Sequence, residues 1–469
     1  MVRFCIILQN QIIKTRLHLV KLCQAIEMAS LGGAKGLNIE TQLDSPTVGK
    51  QSESCPHFVH ENIKIPNMER VISALGICIF ITISYALSVN RNAVRWRTIA
   101  WGLGLEFVLA LVILKTPWGL NLFKSLGDMV ANFLDFSDVG AKFVFGENFK
   151  DHFFAFQILP TIIFFSSFIS VLYHYGILQR VVNSLAWVMM KTMKTSGSES
   201  LSCAGNIFLG PTEAALMVKP YVANMTQSEL HAVMTGGFAT IAGGVLGAYL
   251  SFGIPPEHLI AAFFMTSPVS LIVSKIMYPE TEVSDTTGKV NIDIKSNYVN
   301  VIDAATSGAI DGIKLAVNVG VIIIAFLSLL AAVNAGLGWL GKLSGYPQLS
   351  LEWMLAFLMS PVAWLMGITW ADCGEVGVLL GKKTILNEFI AYLDLGELIK
   401  KQEISQRSII IATYALCNFA NIGSIGITIG GMTGIAPNRQ KDLARMGVKT
   451  MIGGLLAGFI TAGIAGMLI

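Results

Sequence analysis

The stretch SGSESLSCAGNIFLGPTEAALMVKPYVAN, residues 196–224, decides how the rest of the chain is read. Its background is apolar, yet Ser, Gly, Asn and Pro interrupt it, and it carries Glu199 and Glu213. Hydrocarbon offers the backbone no hydrogen-bond partner. A segment at membrane depth that cannot form one unbroken helix must therefore be buried in protein or line a wet cavity. A re-entrant hairpin meets that demand.

Composition places this stretch in a membrane. Of 469 residues, 53% are hydrophobic and only 13% are charged, against about 25% charged in an ordinary soluble domain. That excludes disorder, a coiled coil and a nucleic-acid binder, and leaves little room for a soluble enzyme. A mean hydropathy of +0.63 and 45 glycines fit an all-α polytopic membrane protein, whose helices tolerate glycine. The net charge of +3 is nearly balanced and names no acidic partner. The seven cysteines are scattered without a CxxC pair, and read as free thiols.

Residues 1–69 are broken by polar and charged positions and read as a flexible tail with no cleavable signal peptide. Crossings are expected at 71–89, 98–114, 153–175, 229–252, 258–278, 313–333, 408–432 and 446–469. Arg91, Arg95 and Arg97 should hold the first short loop in the cytoplasm. Segments 117–136 and 178–193 are amphipathic and suit helices lying in the interface. Residues 353–370 contain Ser360, Pro361 and Gly367 and suggest a second hairpin, followed by a helix over 376–393. Each irregular region precedes a glycine-broken segment, FATIAGG (238–244) in one half and GSIGITIGG (423–431) in the other. Paired interrupted segments of this kind point to the binding site of a transporter.

Glu213, with Thr212 beside it, and Glu388 are carboxylates at expected membrane depth. Such groups face a cavity or a partner, because desolvating them is costly. One reading makes them acceptors for a hydroxylated solute. The other pairs Glu213 with Lys219, and Glu388 with Lys382 or Lys383. Phe419, Asn421 and Ser424 lie where glycine loosens a helix and frees backbone groups, and an aromatic face with amides suits a flat heterocycle. Asn206 and Thr240, with the main-chain oxygens of Leu209 and Ile241, form a candidate set for sodium, a hard cation that prefers oxygen. HExxH, GxxxxGK[ST], GxSxG and GxGxxG are all absent, which removes support for zinc or serine hydrolysis and for nucleotide-driven pumping.

Four long segments resemble one family in order: FGENFKDHFFAFQILP (145–160), AGNIFLGPTEAALMVKPYVANMTQSELHAVMTGGFATIAGGVLGAYLSFGIP (204–255), LLGKKTILNEFIAYLDL (379–395) and ATYALCNFANIGSIGITIGG (412–431). From about Trp96 onward the chain resembles a concentrative, sodium-coupled nucleoside transporter of the animal type. The resemblance implies a plasma-membrane homotrimer with two re-entrant hairpins, in which a transport domain moves like an elevator against a scaffold. It implies a scaffold mainly of residues 70–195 and 313–335, with a transport domain of 196–278 and 345–432. The polar loop and amphipathic segment 279–312 and the helix 446–469 complete the chain.

By the same resemblance, Pro211, Thr212, Glu213, Val245, Glu388, Phe419, Asn421 and Ser424 occupy the nucleoside site. The carboxylates and Asn421 meet the ribose hydroxyls there, and Phe419 meets the base. Asn206, Leu209, Thr240 and Ile241 match the sodium site. Sodium is the coupling ion, no organic cofactor is implied, and no nucleic acid is a partner. The family usually has Gln at the position of Pro211, where it contacts the base, so purine or pyrimidine preference does not carry over. Residues 1–70 inherit nothing from the resemblance. Proton coupling, or a receptor that binds nucleoside without moving it, are the alternatives.

Overall fold

A computed structural model describes residues 68–151, 156, 158–288 and 298–469, and the expected tail at 1–67 lies outside the described residues. Met68 and Glu69 already belong to the first helix, α1 (Met68–Ala86). The chain continues through α2 (Trp96–Lys115), α3 (Pro117–Leu134), α4 (Phe136–Phe145), α5 (Leu159–His174) and α6 (Ile177–Met193). Six of the described helices or joined helices are long and apolar enough to cross a membrane. α5 and α6 meet at a bend of 77°, with Gly176 in the left-handed region (φ 71°) at the corner. The apolar run and the amphipathic helix after it are thus two separate rods.

The first hairpin has its arms in α7 (Gly197–Gly205) and α8 (Pro211–Met217), followed by the single turn α9 (Lys219–Val222). Ser196 and Glu199 close a capping box at the start of α7, and Pro211 opens α8 at its first helical position. Proline suits that position, because the missing N–H is one that a helix start leaves unpaired. The base of the hairpin is fastened on one side. Glu229 Oε1 accepts hydrogen bonds from the hydroxyls of Ser196, Ser198, Ser284 and Thr286. Lys275 Nζ lies 2.6 Å from Glu199 and donates to Ser228 at 2.8 Å. The start of the 279–312 stretch is therefore docked, residues 289–297 lie outside the described residues, and residues from Val301 onward are helical.

α10 (Gln227–Ala239) breaks at Thr240 and resumes as α11 (Leu246–Ser251) before α12 (Pro256–Met277). α13 (Val301–Ser344) is far longer than the helix expected at 313–335. At about 1.5 Å per residue, 44 residues reach well past a hydrocarbon core of about 30 Å. α13 packs along α5, and small residues set the closeness. A Cβ on Gly308 would stand 2.4 Å from Ser170 Oγ, and one on Gly312 would stand 2.8 Å from Ile163 Cα. Ser167 also donates to the Ala305 carbonyl at 2.8 Å. Without a hydrophobic drive between helices in lipid, such close contact and hydrogen bonding hold them together.

The second hairpin runs from α14 (Leu351–Leu365) through Gly367 (φ 90°) into α15 (Cys373–Ile385). Its descending arm thus occupies the first half of the helix expected at 376–393, which does not continue. The chain turns at Leu386–Asn387 and restarts as α16 (Glu388–Lys401) because the Asn387 side chain caps the Ile390 N–H. After α17 (Gln406–Leu416) comes a second break, then α18 (Ile422–Ile435) and α19 (Gln440–Leu468). α19 is mostly buried and is contacted by α1, α10, α12 and α17.

Within residues 70–195, α2 packs against α3 and α6, and α5 packs against α4 and α6. α1 packs along α19 and α2 packs against α12, while α5 pairs with α13. α2 buries the stripe Ile99, Gly102, Glu106, Ala110 and Ile113. Glu106 is fully buried, and neither of its carboxyl oxygens has a partner among the described residues. An unsatisfied buried polar group costs about 1–3 kcal/mol. Glu106→Met is therefore expected to raise thermal stability by about that amount, measured by unfolding of detergent-purified protein; a loss of stability would show that the carboxyl has a partner.

Candidate functional site

Three interruptions of regular structure meet at one place: the tip of the first hairpin (206–210), the gap between α10 and α11 (240–245), and the gap between α17 and α18 (417–421). The contacts are specific. A Cβ on Gly243 would lie 2.7 Å from the Phe208 carbonyl oxygen, and one on Gly237 would lie 2.6 Å from Pro211 Cβ. The Phe419 N–H donates to the Thr240 carbonyl at 3.1 Å and so ties the two gaps together. Within the second gap the Asn418 N–H reaches Leu416 O at 2.7 Å, and the Asn421 N–H reaches Phe419 O at 2.8 Å. These tight turns free the carbonyls that a continuous helix would have used.

Glu388, Asn421 and Ser424 form one cluster. Glu388 is the first residue of α16 and is buried. Its Oε2 accepts from Asn421 Nδ2 at 3.3 Å, and its Oε1 accepts from the Tyr249 hydroxyl at 3.3 Å. Asn421 Oδ1 in turn accepts the Ser424 N–H at 2.8 Å and caps α18. One amide therefore fixes a helix start and presents its NH2 to a carboxylate. Both helix starts, α16 and α18, bring positive dipole ends to this spot. Each Glu388 oxygen accepts one of these two bonds, which leaves carboxylate lone pairs for a further donor.

Neither carboxylate follows the ion-pair alternative. Lys382 pairs with Asp394 at 2.8 Å and stands 3.9 Å from Glu352. No ion pair joins Glu388 to Lys383 or Glu213 to Lys219 among the described residues. Glu213 is exposed and accepts from its neighbour Thr212 at 3.1 Å. Thr212 faces α18, since a Cβ on Gly431 would stand 2.3 Å from Thr212 Cγ2. Val245 is buried in the short turn before α11, and Phe419 is half-buried against the core. Pro211 fills the space over Gly237.

Asn206 sits at the tip of the first hairpin, 1% exposed, with neither Oδ1 nor Nδ2 hydrogen-bonded among the described residues. A buried amide left unpaired on both atoms is costly unless something else meets it. The Thr240 hydroxyl donates to the Gly236 carbonyl at 3.1 Å, and Ile241 is fully buried. Leu209 lies half-buried in the same tip. An orphaned amide oxygen beside an unwound backbone is the donor set that a hard cation takes, so these residues fit sodium.

Tyr249 was not a sequence candidate. The available signal was a lone tyrosine in the glycine-rich GVLGAYLSFG (244–253), because a buried phenol needs a hydrogen-bond partner. The close approach at Gly243 has its own consequence. Gly243→Ala would push its methyl onto the Phe208 carbonyl, at a typical cost of about 1–3 kcal/mol. The thermal unfolding midpoint of the purified protein should fall accordingly, and an unaltered midpoint would show that the tip need not close on this gap.

Known proteins share the sequence and fold of this chain. Three family descriptions match in order: "Na+ dependent nucleoside transporter N-terminus" over residues 75–148, "Nucleoside recognition" over 155–256, and "Na+ dependent nucleoside transporter C-terminus" over 258–466. Solute carrier family 28 member 3 of Homo sapiens is 45% identical over 85% of this chain and 60% of its own length. Sodium/nucleoside cotransporter 1 of Mus musculus is 44% identical over 85% of this chain and 64% of its own. The chain thus spans about three fifths of the length of these curated relatives. The solved structure of CNTnw in an inward-facing substrate-bound state superposes with a TM-score of 0.81 at 38% identity, covering 86% of this chain and 98% of that one. A CNTnw variant in an outward-facing state gives 0.82 at 38% identity, over 86% and 99%. Sharing sequence and fold along nearly the whole of a solved member, the chain belongs to the Na+ dependent nucleoside transporter family.

Proposed function

We propose that the protein is a multi-pass secondary active transporter of the plasma membrane that imports nucleosides by sodium symport. The observation that carries this reading is the convergence of three broken segments, with the Glu388–Asn421 pair on one side and the orphaned Asn206 amide on the other. Glu388, Asn421, Glu213 and Thr212 would take the ribose hydroxyls, Phe419 the face of the base, and Val245 and Ser424 the remaining wall. Asn206, Thr240 and the carbonyls of Leu209 and Ile241 would take sodium. Pro211 lies over Gly237 and offers the base no donor.

Alternating access follows the packing. α5 and α13, which pack along each other, would belong to the scaffold, and the two hairpins with α10–α12 and α14–α19 would form an elevator-like transport domain; α1 and α2 pack against α19 and α12. CNTnw is solved in an inward-facing substrate-bound state, and a variant of it in an outward-facing state, which supports such movement here. The exposed apolar side chains of α13, among them Val321, Ile324, Leu329 and Trp339, suit a homotrimer seam and lipid.

The driving force is adequate. One sodium ion descending 100 mV releases about 2.3 kcal/mol, and a tenfold sodium gradient adds about 1.4 kcal/mol. Together they sustain roughly a 500-fold nucleoside gradient at one ion per solute. The test is uptake of radiolabelled uridine, cytidine, adenosine and guanosine in sodium or choline medium. Uptake of at least one that vanishes in choline supports the proposal. Uptake that ignores sodium and collapses with a protonophore would replace sodium by protons, and binding without flux in proteoliposomes would leave only a receptor.

A further inference from the structure

Of the two side chains that bond Glu388 among the described residues, Asn421 is itself a candidate ribose ligand and Tyr249 is not. Tyr249 lies in α11, the short helix that resumes after the 240–245 gap, far from Glu388 in the chain. Its side chain is fully buried, and its hydroxyl donates to Glu388 Oε1 at 3.3 Å. A phenol buried this deeply needs a polar partner, and the carboxylate meets that need.

The ring is held by α16 itself, the helix that Glu388 begins. The Tyr392 ring lies against it with centroids 4.4 Å apart, and the Phe389 ring stands at 5.9 Å. A Cβ on Gly396 of α16 would stand 2.5 Å from the Phe252 carbonyl oxygen just past the end of α11, so the two helices meet closely on that side. Tyr392 also carries a buried hydroxyl, but it donates to the Thr413 carbonyl on α17 at 2.7 Å. Tyr249 therefore reaches the carboxylate while its stacking partner bonds elsewhere.

The terminal torsion of a glutamate is broad, so the side chain alone does not fix the plane of its carboxylate. Two donors from different elements, Tyr249 on Oε1 and Asn421 on Oε2, do fix it. A sugar hydroxyl bonds well only where an acceptor lone pair points at it. The plane of Glu388 thus decides how well it meets a ribose. We propose that Tyr249 is a positioning residue for sugar recognition: its hydroxyl sets the plane of the Glu388 carboxylate, and so sets how sharply the site tells a ribose hydroxyl from its absence. This rests on the reading of Glu388 as a ribose ligand.

The test is equilibrium binding, with sodium present, to the full-length protein purified in detergent. The probes are uridine and adenosine, each with its 2′-deoxy and 3′-deoxy analogues. The proteins are native, Tyr249→Phe, Tyr392→Phe and Glu388→Gln. The native protein should bind at least one deoxy analogue about 100-fold more weakly than its parent nucleoside. Tyr249→Phe should weaken the parent by about tenfold and that analogue by less than about twofold, so their ratio falls. A role in packing alone would weaken parent and analogue alike, and that result would overturn the proposal. Tyr392→Phe, which removes a hydroxyl from the same ring stack but no bond to Glu388, should keep the native ratio; a fall equal to that of Tyr249→Phe would also overturn it. A ratio lowered by Glu388→Gln but not by Tyr249→Phe would leave the ribose reading standing and refute the role of Tyr249. No discrimination by the native protein, or a native ratio in Glu388→Gln, would remove Glu388 from the ribose site and the proposal with it. Phenylalanine keeps the ring, so failure of Tyr249→Phe to reach the membrane would assign the hydroxyl to folding and count against the proposal.

Discussion

Glu388→Gln is expected to reduce nucleoside uptake by about 100-fold while the protein still reaches the cell surface. The substitution keeps the shape of the side chain and an oxygen for Tyr249 or Asn421, and removes only the charge. A hydrogen bond to a charged group contributes about 1.5–3 kcal/mol, and one between neutral groups about 0.5–1.5 kcal/mol. Losing the difference at two ribose hydroxyls is worth about 2–3 kcal/mol, which is roughly two decades of affinity. Uptake of labelled uridine or adenosine, normalised to surface-biotinylated protein, measures it. Uptake within about threefold of the native protein would remove Glu388 from the ribose site. Glu213 is solvent-exposed on the first hairpin, where charge is worth less than at buried Glu388. The larger effect is therefore placed on Glu388.

Asn206→Leu is expected to raise the sodium concentration for half-maximal uptake by at least about tenfold, the value of roughly 1.4 kcal/mol. Leucine has the same branched skeleton as asparagine, with bulkier ends, but no oxygen. The native amide has both polar atoms buried and unpaired among the described residues, so removing it costs no internal hydrogen bond. The variant should be as stable as the native protein in choline, or more so, and should lose the extra stability that sodium confers on the native form. Sodium titrations of uptake and of thermal unfolding test both parts. An unchanged sodium dependence would show that Asn206 is not a ligand.

Much of this site was legible in advance because it depends on local rules. Asn421 lies where glycine loosens the segment, and asparagine is a strong cap; Asn387 caps α16 in the same way but falls inside the helix expected at 376–393, and only the structure shows that break. Glycine and proline between residues 205 and 211 forbid a continuous helix, and the carboxylates Glu213 and Glu388 stand out in apolar sequence because desolvating them is costly. The position of the second hairpin was harder. Residues 373–385 carry an uninterrupted helical pattern, and only their packing against α14 shows that they are its descending arm. The length of α13 was obscured by Asp303, Asp311 and Lys314, charges that a helix extending beyond the hydrocarbon carries without cost.

Composition and interrupted apolar runs determined by themselves that this chain spans a membrane, that the segments at 196–224, 238–244 and 423–431 are irregular, and which oxygen-bearing side chains lie there. These are properties of single segments, set by the price of an unpaired backbone group in hydrocarbon. Only the tertiary structure decided that three distant breaks share one spot, that Tyr249 rather than a lysine touches Glu388, that α1 and α2 join the bundle of α19 and α12, and that Lys383 is buried with no partner bonded to it. Such facts depend on which surfaces meet across hundreds of residues, and close packing among small side chains selects that meeting through contacts no single segment contains.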